Sequence, residues 1–211
     1  MKYTYVVWDF NGTILDDVAI GIESVNTLLK RRGIEQIKSV EAYREVFCFP
    51  IIRYYEKIGF DFALEDFSVV AVEWVDEYMS RVSRAKAHSG VLELITKLKK
   101  NGVKNILVSA TEENMLKKQI SMLGIADLFD GVYGLDNIHA VNKIAIAKNW
   151  RETAPDAQVL FVGDTDHDFE TAKAINAECV LFAGGHQSSV ALGKLGCRVV
   201  ENFAELDALL F

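Results

Sequence analysis

The sequence predicts an α/β protein: a doubly wound, Rossmann-like parallel sheet with an all-α insertion after its first strand. Two observations support this prediction. From residue 88 onward, short apolar runs alternate with helical segments, as expected of parallel strands joined by right-handed crossovers. From about residue 16 to residue 87, apolar residues recur at helical spacing without a strand pattern. We therefore expect residues 1–15 and 88–211 to form the core domain, and residues 16–87 to form a helical domain.

The first strand is predicted over residues 3–8, where β-branched and aromatic residues precede the turn residues Gly12 and Thr13. Three helical stretches follow in the insertion: one that ends before Gly33, one over about residues 40–58 and one over about residues 64–82. The second stretch is interrupted at the pair Phe49–Pro50, because the residue before a proline disfavours helical geometry.

Beyond residue 88, helices and strands are predicted to alternate. The helices cover residues 91–100, 113–123, 143–151, 168–176 and 188–195, and the strands cover residues 105–110, 131–134, 158–164, 179–183 and 198–200. Gly102 and Gly124 stand just after two of these helices, at a position where glycine commonly ends a helix. The pattern is typical of a parallel sheet that helices cover on both faces.

Composition and charge exclude several classes of function. Half of the 211 residues are hydrophobic, which is sufficient for a globular core, and no run of eighteen apolar residues suggests a membrane span. The net charge of −7 disfavours nucleic acid and anionic membrane surfaces as partners. Cys48, Cys179 and Cys197 are odd in number and lack metal-site spacing, which favours free thiols. We therefore predict a cytoplasmic protein without nucleic acid or membrane as partner, and the choice between monomer and homodimer stays open.

Acidic residues follow the first and fourth predicted strands of the core. Asp9 and Asp16 come after the first strand, and Asp164 and Asp168 come at and after the fourth. Ligands of a doubly wound sheet bind where the carboxyl ends of its strands meet, so these four carboxylates are expected to converge. Because carboxylates repel one another, and because oxygen ligands suit Mg²⁺, the sequence predicts a magnesium site.

Two further residues have positions suited to binding a phosphate. Ser109 ends the second strand, and Lys143 stands at the start of a predicted helix. The hydroxyl of Ser109 and nearby backbone N–H groups, such as that of Ala110, would donate to phosphate oxygens, and Lys143 would add positive charge. Thr111 is an alternative to Ser109, and Lys148 is an alternative to Lys143. A carboxylate beside these groups is a suitable nucleophile for phosphoryl transfer.

Four ordered motifs make the chain similar to a known family. DFNGTILD, from Asp9 to Asp16, resembles the pattern DxDGTLxD, and ILVS ends at Ser109. Lys143 follows, and then Gly163, Asp164 and Asp168 match GDxxxD. In these motifs the chain resembles the haloacid dehalogenase-like superfamily, and within it the phosphoglycolate phosphatase-like branch that has a helical cap.

The resemblance implies roles for these residues. Asp9 would be the nucleophile and a metal ligand, and the backbone carbonyl of Asn11 and the carboxylate of Asp164 would complete the protein's share of Mg²⁺ coordination. Asp168 would be a further ligand, either directly or through water or Lys143. The insertion would be the cap. The implied activity is hydrolysis of a small phosphorylated metabolite through an aspartyl phosphate. The alternatives are a phosphotransferase or phosphomutase, and a catalytically weak protein that binds a phosphometabolite.

One residue departs from the family pattern. Asn11 occupies the position at which family phosphatases have a second Asp, which protonates the leaving group and then activates water. An amide does not exchange a proton at neutral pH, although its backbone carbonyl remains available to a metal. Three interpretations stay open: a slow or specialised enzyme, a phosphate-ligand binder with little turnover, or an enzyme in which another carboxylate, Asp17 or one from the cap, supplies the proton.

The remaining candidates have structural interpretations beside the functional ones. Asp17 is predicted to be structural, and Asp166 and His167 are predicted to face solvent in a loop. Arg53 is expected to contact a substrate carboxylate or phosphate, although a surface position suits it equally. Six aromatic residues of the insertion are predicted to form mainly the core of the cap, with one or two facing the cleft: Phe47, Phe49, Tyr54, Tyr55, Trp74 and Tyr78.

Overall fold

The computed structural model describes residues 2–135 and 143–211 of the chain. The strands in these ranges are β1 (Tyr5–Trp8), β2 (Leu15–Asp16), β3 (Lys86–Ala87), β4 (Lys104–Glu112), β5 (Gly131–Leu135), β6 (Val159–Gly163), β7 (Glu178–Phe182) and β8 (Arg198–Val200). The helices are α1 (Val18–Arg31), α2 (Val40–Val46), α3 (Ile51–Lys57), α4 (Phe67–Met79), α5 (Val91–Lys100), α6 (Glu113–Met122), α7 (Lys143–Glu152), α8 (Asp166–Ala174), α9 (Ser189–Leu192) and α10 (Phe203–Leu210).

Six parallel strands form the central sheet, in the order β5-β4-β1-β6-β7-β8. From β1 the chain moves outward through β4 to β5, and it then returns to the other side of β1 with β6. The strand order therefore reverses between β1 and β6, which is where ligands bind in this class of fold. Trp8 of β1 is in register with Leu107 of β4 and with Val162 of β6, so the ends of these three strands lie at one edge.

Apolar side chains of the sheet are buried on both of its faces. Val6 and Trp8 belong to one hydrophobic cluster, together with Leu94 of α5. Val7 points to the opposite face and belongs to a second cluster, together with Ala147 of α7. Successive residues of a strand face opposite sides of the sheet, and burial of both sides explains why the strands are almost uninterruptedly apolar. The predicted doubly wound α/β fold is confirmed.

The segment between β2 and β3 is helical throughout its regular structure. The two short strands pair antiparallel, with Leu15 in register with Ala87, so the segment leaves and re-enters the sheet domain at one place. Helices α1 to α4 surround a hydrophobic cluster of their own, in which Val25, Leu28 and Val70 are completely buried. The predicted interruption at Phe49–Pro50 is confirmed, because this pair lies between the end of α2 and the start of α3.

Four elements differ from the sequence-based expectation. The strands β2 and β3 have two residues each, which is too short for a periodic signal. Helix α10 was not predicted. Asn202, a residue type preferred at the N-cap, precedes it and accepts a hydrogen bond from the Glu205 backbone N–H. Helix α8 begins two residues earlier than expected, because Thr165 and Asp168 form a capping box at its start. None of the described helices is both long and apolar enough to cross a membrane.

Candidate active site

Three acidic side chains converge at the edge of the sheet where the strand order reverses. Asp9 follows β1, Asp164 follows β6, and Asp168 lies in the first turn of α8. One carboxylate oxygen from each lies within 4.8 Å of the others. All three residues are buried, with 7%, 1% and 2% of their surfaces exposed. The parallel register of β1 and β6 brings together residues that are 155 positions apart in the chain.

Asp16 does not join these carboxylates, so the expectation that four carboxylates converge is wrong for Asp16. Asp16 is exposed on β2, opposite Lys86 of β3. The next residue, Asp17, is buried and lines the cavity instead. The Oδ1 atom of Asp17 accepts a hydrogen bond from the Gly12 backbone N–H at 2.8 Å. Because neighbouring residues point in opposite directions at the end of β2, one of the two carboxylates enters the site and the other faces solvent.

Lys143 is the cation of the carboxylate cluster. Its side chain is 2% exposed, and its Nζ donates hydrogen bonds to Oδ1 of Asp9 and, at 2.5 Å, to Oδ1 of Asp168. Lys148 lies on the same helix but is exposed, so the structure places Lys143 and not Lys148 beside the carboxylates. One ammonium group does not balance three carboxylates.

The pKa values reflect this excess of negative charge. Burial raises the pKa of Asp9 to about 8 and that of Asp164 to about 6, and the charge of Asp168 adds to both shifts. Burial also acts on Asp168, but the Lys143 ammonium and hydrogen bonds from Thr165 outweigh it, and the pKa of Asp168 lies below its ordinary value. Lys143 is therefore insufficient to keep all three carboxyl groups ionised at neutral pH.

The donor set fits a hard divalent cation. Carboxylate oxygens are the preferred ligands of Mg²⁺ and similar ions, and such an ion would compensate the remaining charge. Close packing also restricts the surroundings of Asp164. A Cβ atom at Gly12, whose φ is +78°, would lie 2.4 Å from Oδ2 of Asp164, and a Cβ atom at Gly185 would lie 2.2 Å from it. Glycine at these two positions lets the backbone approach the carboxylate closely.

Replacing Lys143 by Met tests the electrostatic balance of the cluster. We expect the variant to lose about 3–5 kcal/mol of unfolding free energy, because the buried side chains of Asp9 and Asp168 lose the ammonium group that they share. The measurement is urea denaturation in the presence of EDTA. The matched control is Lys148→Met on the exposed face of the same helix, for which a change within about 0.5 kcal/mol is expected. Equal effects of the two substitutions would contradict this account.

Residues 109–111 bring hydrogen-bonding groups to the same place. Strand β4 continues through them with a shift of register between Val108 and Glu112. Ser109, Ala110 and Thr111 all line the cavity. The Ser109 hydroxyl oxygen accepts a hydrogen bond from the Thr111 backbone N–H at 3.1 Å, and the hydroxyl is able to donate in turn.

The Asn11 side chain is held by three hydrogen bonds. Its Nδ2 donates to Oδ2 of Asp17 and to the hydroxyl of Tyr78, both at 2.8 Å. Its Oδ1 accepts a hydrogen bond from the Thr111 hydroxyl at 2.8 Å. The Tyr78 hydroxyl also donates to Oδ2 of Asp17 at 2.5 Å. The amide therefore joins the sheet domain to helix α4 and has both a donor and an acceptor role, which a carboxylate would not reproduce.

His186 is a site residue that the sequence analysis missed. Its backbone N–H donates to Oδ2 of Asp164 at 2.7 Å, and its Nδ1 lies 2.8 Å from the Tyr43 hydroxyl. Its Nε2 lies 3.4 Å from Oδ1 of Asp17. Burial opposes the charged imidazolium, but Asp17 outweighs burial and raises the pKa of His186 to about 9. The glycine pair directly before His186, after a buried strand, was the available signal for a close approach to a ligand.

The helical segment contacts the loop that contains this histidine. Arg44 of α2 donates from Nε to the carbonyl of Gly185 at 2.8 Å and from Nη2 to the carbonyl of Gly184 at 2.6 Å. Phe49 stacks on His167 with ring centroids 4.9 Å apart. His167 lines the cavity in the first turn of α8, which corrects the expectation that it faces solvent from a loop. Asp166 does not line it, and its carboxylate accepts a hydrogen bond from Gln187.

A cavity of about 350 Å³ lies between the carboxylate cluster and the helical segment. All six aromatic residues singled out in the sequence line this cavity, namely Phe47, Phe49, Tyr54, Tyr55, Trp74 and Tyr78. The expectation that one or two of them face the cleft was therefore too low. Four of them, Phe47, Tyr54, Tyr55 and Trp74, also belong to the hydrophobic cluster of the helical segment.

Arg53 does not reach this cavity, which corrects its assignment as a substrate contact. Its side chain is 69% exposed and pairs with Glu56 on the same helix at 3.1 Å. The following residues, Tyr54 and Tyr55, are buried and occupy the inward face of α3. A side chain one position away on a helix points about 100° around the axis, so Arg53 faces outward.

Comparisons with known proteins agree with the fold. The family model described as haloacid dehalogenase-like hydrolase matches residues 6–182. A phosphoglycolate phosphatase from Pseudomonas syringae is 25% identical over 191 residues, which cover 86% of this chain and 70% of that protein. PpaX from Caldanaerobacter subterraneus, named as a candidate pyrophosphatase, is 24% identical over 192 residues, which cover 85% of this chain and 81% of that protein.

Two solved structures illustrate the similarity of fold. The haloacid dehalogenase-like family protein SP0104 from Streptococcus pneumoniae superimposes with a TM-score of 0.83 at 18% identity, covering 100% of this chain and 99% of the other. CbbY from Rhodobacter sphaeroides, solved in complex with phosphate, superimposes with a TM-score of 0.73 at 16% identity, covering 97% and 96%. At these identities the superpositions show a shared fold.

Proposed function

The chain belongs to the haloacid dehalogenase-like hydrolase family, and from this premise we propose that it is a Mg²⁺-dependent phosphatase acting on a small phosphorylated metabolite. The observation that carries the proposal is the buried group of Asp9, Asp164 and Asp168 around a single Lys143. A nucleophile, a charge-compensating cation site and phosphate-binding donors occur together there, as phosphoryl transfer requires. The names of the two sequence relatives support phosphate esters or anhydrides as the substrate class.

In the proposed reaction, a carboxylate oxygen of Asp9 attacks phosphorus and the bond from phosphorus to the ester oxygen breaks. The leaving oxygen takes a proton from water, because Asn11 has none to donate, and an aspartyl phosphate remains on Asp9. Water then hydrolyses this intermediate and releases inorganic phosphate. Lys143, the Ser109 hydroxyl and the backbone N–H of Ala110 would orient the phosphate and stabilise the charge that develops on its oxygens.

Asp9, the backbone carbonyl of Asn11 and Asp164 would hold the cation, with Asp168 as a further ligand directly or through Lys143. The bound ion would compensate the charge of the carboxylates and of the phosphate oxygens, which lets an anionic nucleophile approach an anionic substrate.

Residues 16–87 would act as a cap that closes over the substrate. The contacts of Arg44 with the carbonyls of Gly184 and Gly185, and that of Tyr43 with His186, join this segment to the loop after β7. Closure of such a segment excludes water from the reaction and completes the substrate site.

Asn11 would restrict the enzyme to substrates with good leaving groups. Asp17 is a poor replacement acid. Burial raises its pKa, but hydrogen bonds and charge from His186, together with hydrogen bonds from Tyr78 and Asn11, outweigh burial and hold the pKa below its ordinary value. Asp17 is therefore ionised and occupied by donors, which favours the slow or specialised enzyme over one in which Asp17 supplies the proton.

Removal of the metal tests the cation site. We expect EDTA to abolish phosphate release from p-nitrophenyl phosphate, and Mg²⁺ to restore it. Because the ion binds the folded state, Mg²⁺ at about 100 times its Kd should stabilise the protein by about 2.7 kcal/mol. Calorimetry and thermal melts measure binding without turnover. Asp164→Asn should lose both effects, whereas the control Asp166→Asn should keep them. Full activity in EDTA would contradict a metal-dependent reaction.

Phosphotransfer is the second candidate, and the amide at position 11 favours it. An aspartyl phosphate that lacks a base to activate water would persist long enough to pass its phosphoryl group to an acceptor alcohol. Phosphate release and transfer to added glycerol or glucose, measured side by side, distinguish the two activities. Transfer that exceeds hydrolysis at millimolar acceptor would favour the phosphotransferase.

A further inference from the structure

The part of the cavity wall that α3, α4 and residues 47–50 form is aromatic or aliphatic and uncharged. We call the six residues Phe47, Phe49, Tyr54, Tyr55, Trp74 and Tyr78 the aromatic wall; Ile51 and Val75 extend it with aliphatic carbon. All of these residues come from α3, α4 or the segment directly before α3. The part of a substrate that extends away from the phosphate would therefore contact rings and aliphatic side chains.

Positive charge is nearly absent from the cavity. Within residues 2–135 and 143–211, Lys143 is the single Lys or Arg that lines it, and Asp9 and Asp168 bind its ammonium group. The residues outside these ranges include neither Lys nor Arg. Asp17 and Glu112 add negative charge to the lining. The imidazole of His186 also lines the cavity, but its Nε2 faces Oδ1 of Asp17 at 3.4 Å and its Nδ1 lies 2.8 Å from the Tyr43 hydroxyl. A second anionic group on the substrate would therefore find no cationic side chain without a partner in the described lining away from the phosphate.

Two arginines lie close in sequence to residues of the aromatic wall, and both bind other groups. Arg44 donates to the carbonyls of Gly184 and Gly185, and Arg53 pairs with Glu56 on the outside of α3. Desolvating a carboxylate against the aromatic wall without a partner would be costly, whereas burying an apolar group there is favourable. The cavity thus discriminates against a charged leaving group.

One polar atom of the wall lacks a partner. The Tyr54 hydroxyl is buried and makes no hydrogen bond within the described part of the chain. Buried polar groups are normally satisfied, so this hydroxyl is available to a group that enters the cavity. A bound alcohol that carries one uncharged hydrogen-bonding group would satisfy it.

From these observations we infer that the substrate is a phosphate monoester of an uncharged, largely apolar alcohol bearing one hydrogen-bonding group. The inference rests on the proposed phosphatase function and specifies its substrate class. The substrates after which the two sequence relatives are named, phosphoglycolate and pyrophosphate, each carry a second anionic group. The aromatic wall provides no counter-charge for such a group, so this chain differs in specificity from the activities in those names.

Two isosteric esters test the inference: 3-carbamoylphenyl phosphate, which is neutral away from the phosphate, and 3-carboxyphenyl phosphate, which is anionic there. The two esters have similar shapes, and because the substituent is in the meta position, their leaving groups have similar acidities. We expect kcat/KM to be higher for the carbamoyl ester by about 10-fold or more. Equal values, or a preference for the carboxy ester, would overturn the inference.

Two neighbouring isoleucines provide a matched pair of variants. Ile51 lines the cavity, whereas Ile52, the next residue of α3, does not. Ile51→Arg should shift the ratio of the two kcat/KM values toward the carboxy ester by about 10-fold, because it supplies the missing cation. Ile52→Arg should leave the ratio of the wild type unchanged. The same shift in both variants would contradict a role for the cavity lining.

Binding separates this inference from the phosphatase proposal. If neither ester releases phosphate, the proposed function fails, but calorimetric Kd values of the unreacted esters with wild-type protein and Mg²⁺ still decide the specificity. Tighter binding of the carbamoyl ester by about 10-fold would support the inference. Equal binding, tighter binding of the carboxy ester, or binding of neither would overturn it.

Discussion

Asp9→Asn is expected to lower kcat for phosphate release by about 10⁴-fold or more, because Asp9 is the proposed nucleophile and an amide does not attack phosphorus. The substitution preserves shape, and the oxygen of the new amide can still accept a hydrogen bond from Lys143. The loss should therefore appear in kcat and not as unfolding, which a thermal melt verifies.

The covalent intermediate provides a second measurement for the same variant. Rapid acid quenching followed by peptide mass spectrometry should detect phosphate on the peptide that contains Asp9 in the wild type and not in the variant. Asp16→Asn is the matched control, since Asp16 belongs to the same sequence motif but is exposed on β2. Residual activity within tenfold of the wild type in Asp9→Asn would exclude an aspartyl phosphate at this residue.

Asn11→Asp is expected to raise kcat toward alkyl phosphates by about 10²–10⁴-fold, because it restores a group that donates a proton to a poor leaving group. The structure indicates how the new carboxyl would become an acid. The present amide nitrogen lies 2.8 Å from Oδ2 of Asp17, so two carboxyl groups would share this position. Repulsion raises the pKa of one member of such a pair, which favours its protonated form.

The leaving group distinguishes general acid catalysis from an unspecific gain. Acetyl phosphate has a good leaving group, so Asn11→Asp should raise kcat for acetyl phosphate much less than kcat for an alkyl phosphate. No gain on the alkyl ester would indicate that the site is organised around the amide.

A double variant separates chemistry from stability. In Asn11→Asp/Asp17→Asn, the amide and the carboxyl group exchange places, so a donor and an acceptor again face each other. We expect it to be more stable to urea than Asn11→Asp, although His186 loses its acidic partner. If both variants are equally stable to urea, repulsion between the carboxyl groups at positions 11 and 17 does not destabilise Asn11→Asp.

The sequence by itself determined the fold class and the acidic centre. Alternation of apolar strands with helices indicated the parallel sheet, and its strand boundaries agree with the structure to within about two residues for β4 to β8. Asp9, Asp164 and Asp168 were identifiable as neighbours because parallel strands present their carboxyl ends at one edge of the sheet. That rule requires no knowledge of side-chain packing.

Tertiary structure decided everything that depends on the direction of a side chain or on contacts between distant segments. The choice between Asp16 and Asp17 follows from how β2 pairs with β3, and the outward position of Arg53 follows from the burial of Tyr54 and Tyr55. His186 reaches Asp17 because the loop after β7 folds back over the first motif. The side chains of two adjacent residues point in different directions from the backbone. The local sequence pattern does not specify which of the two a distant segment of the chain will contact.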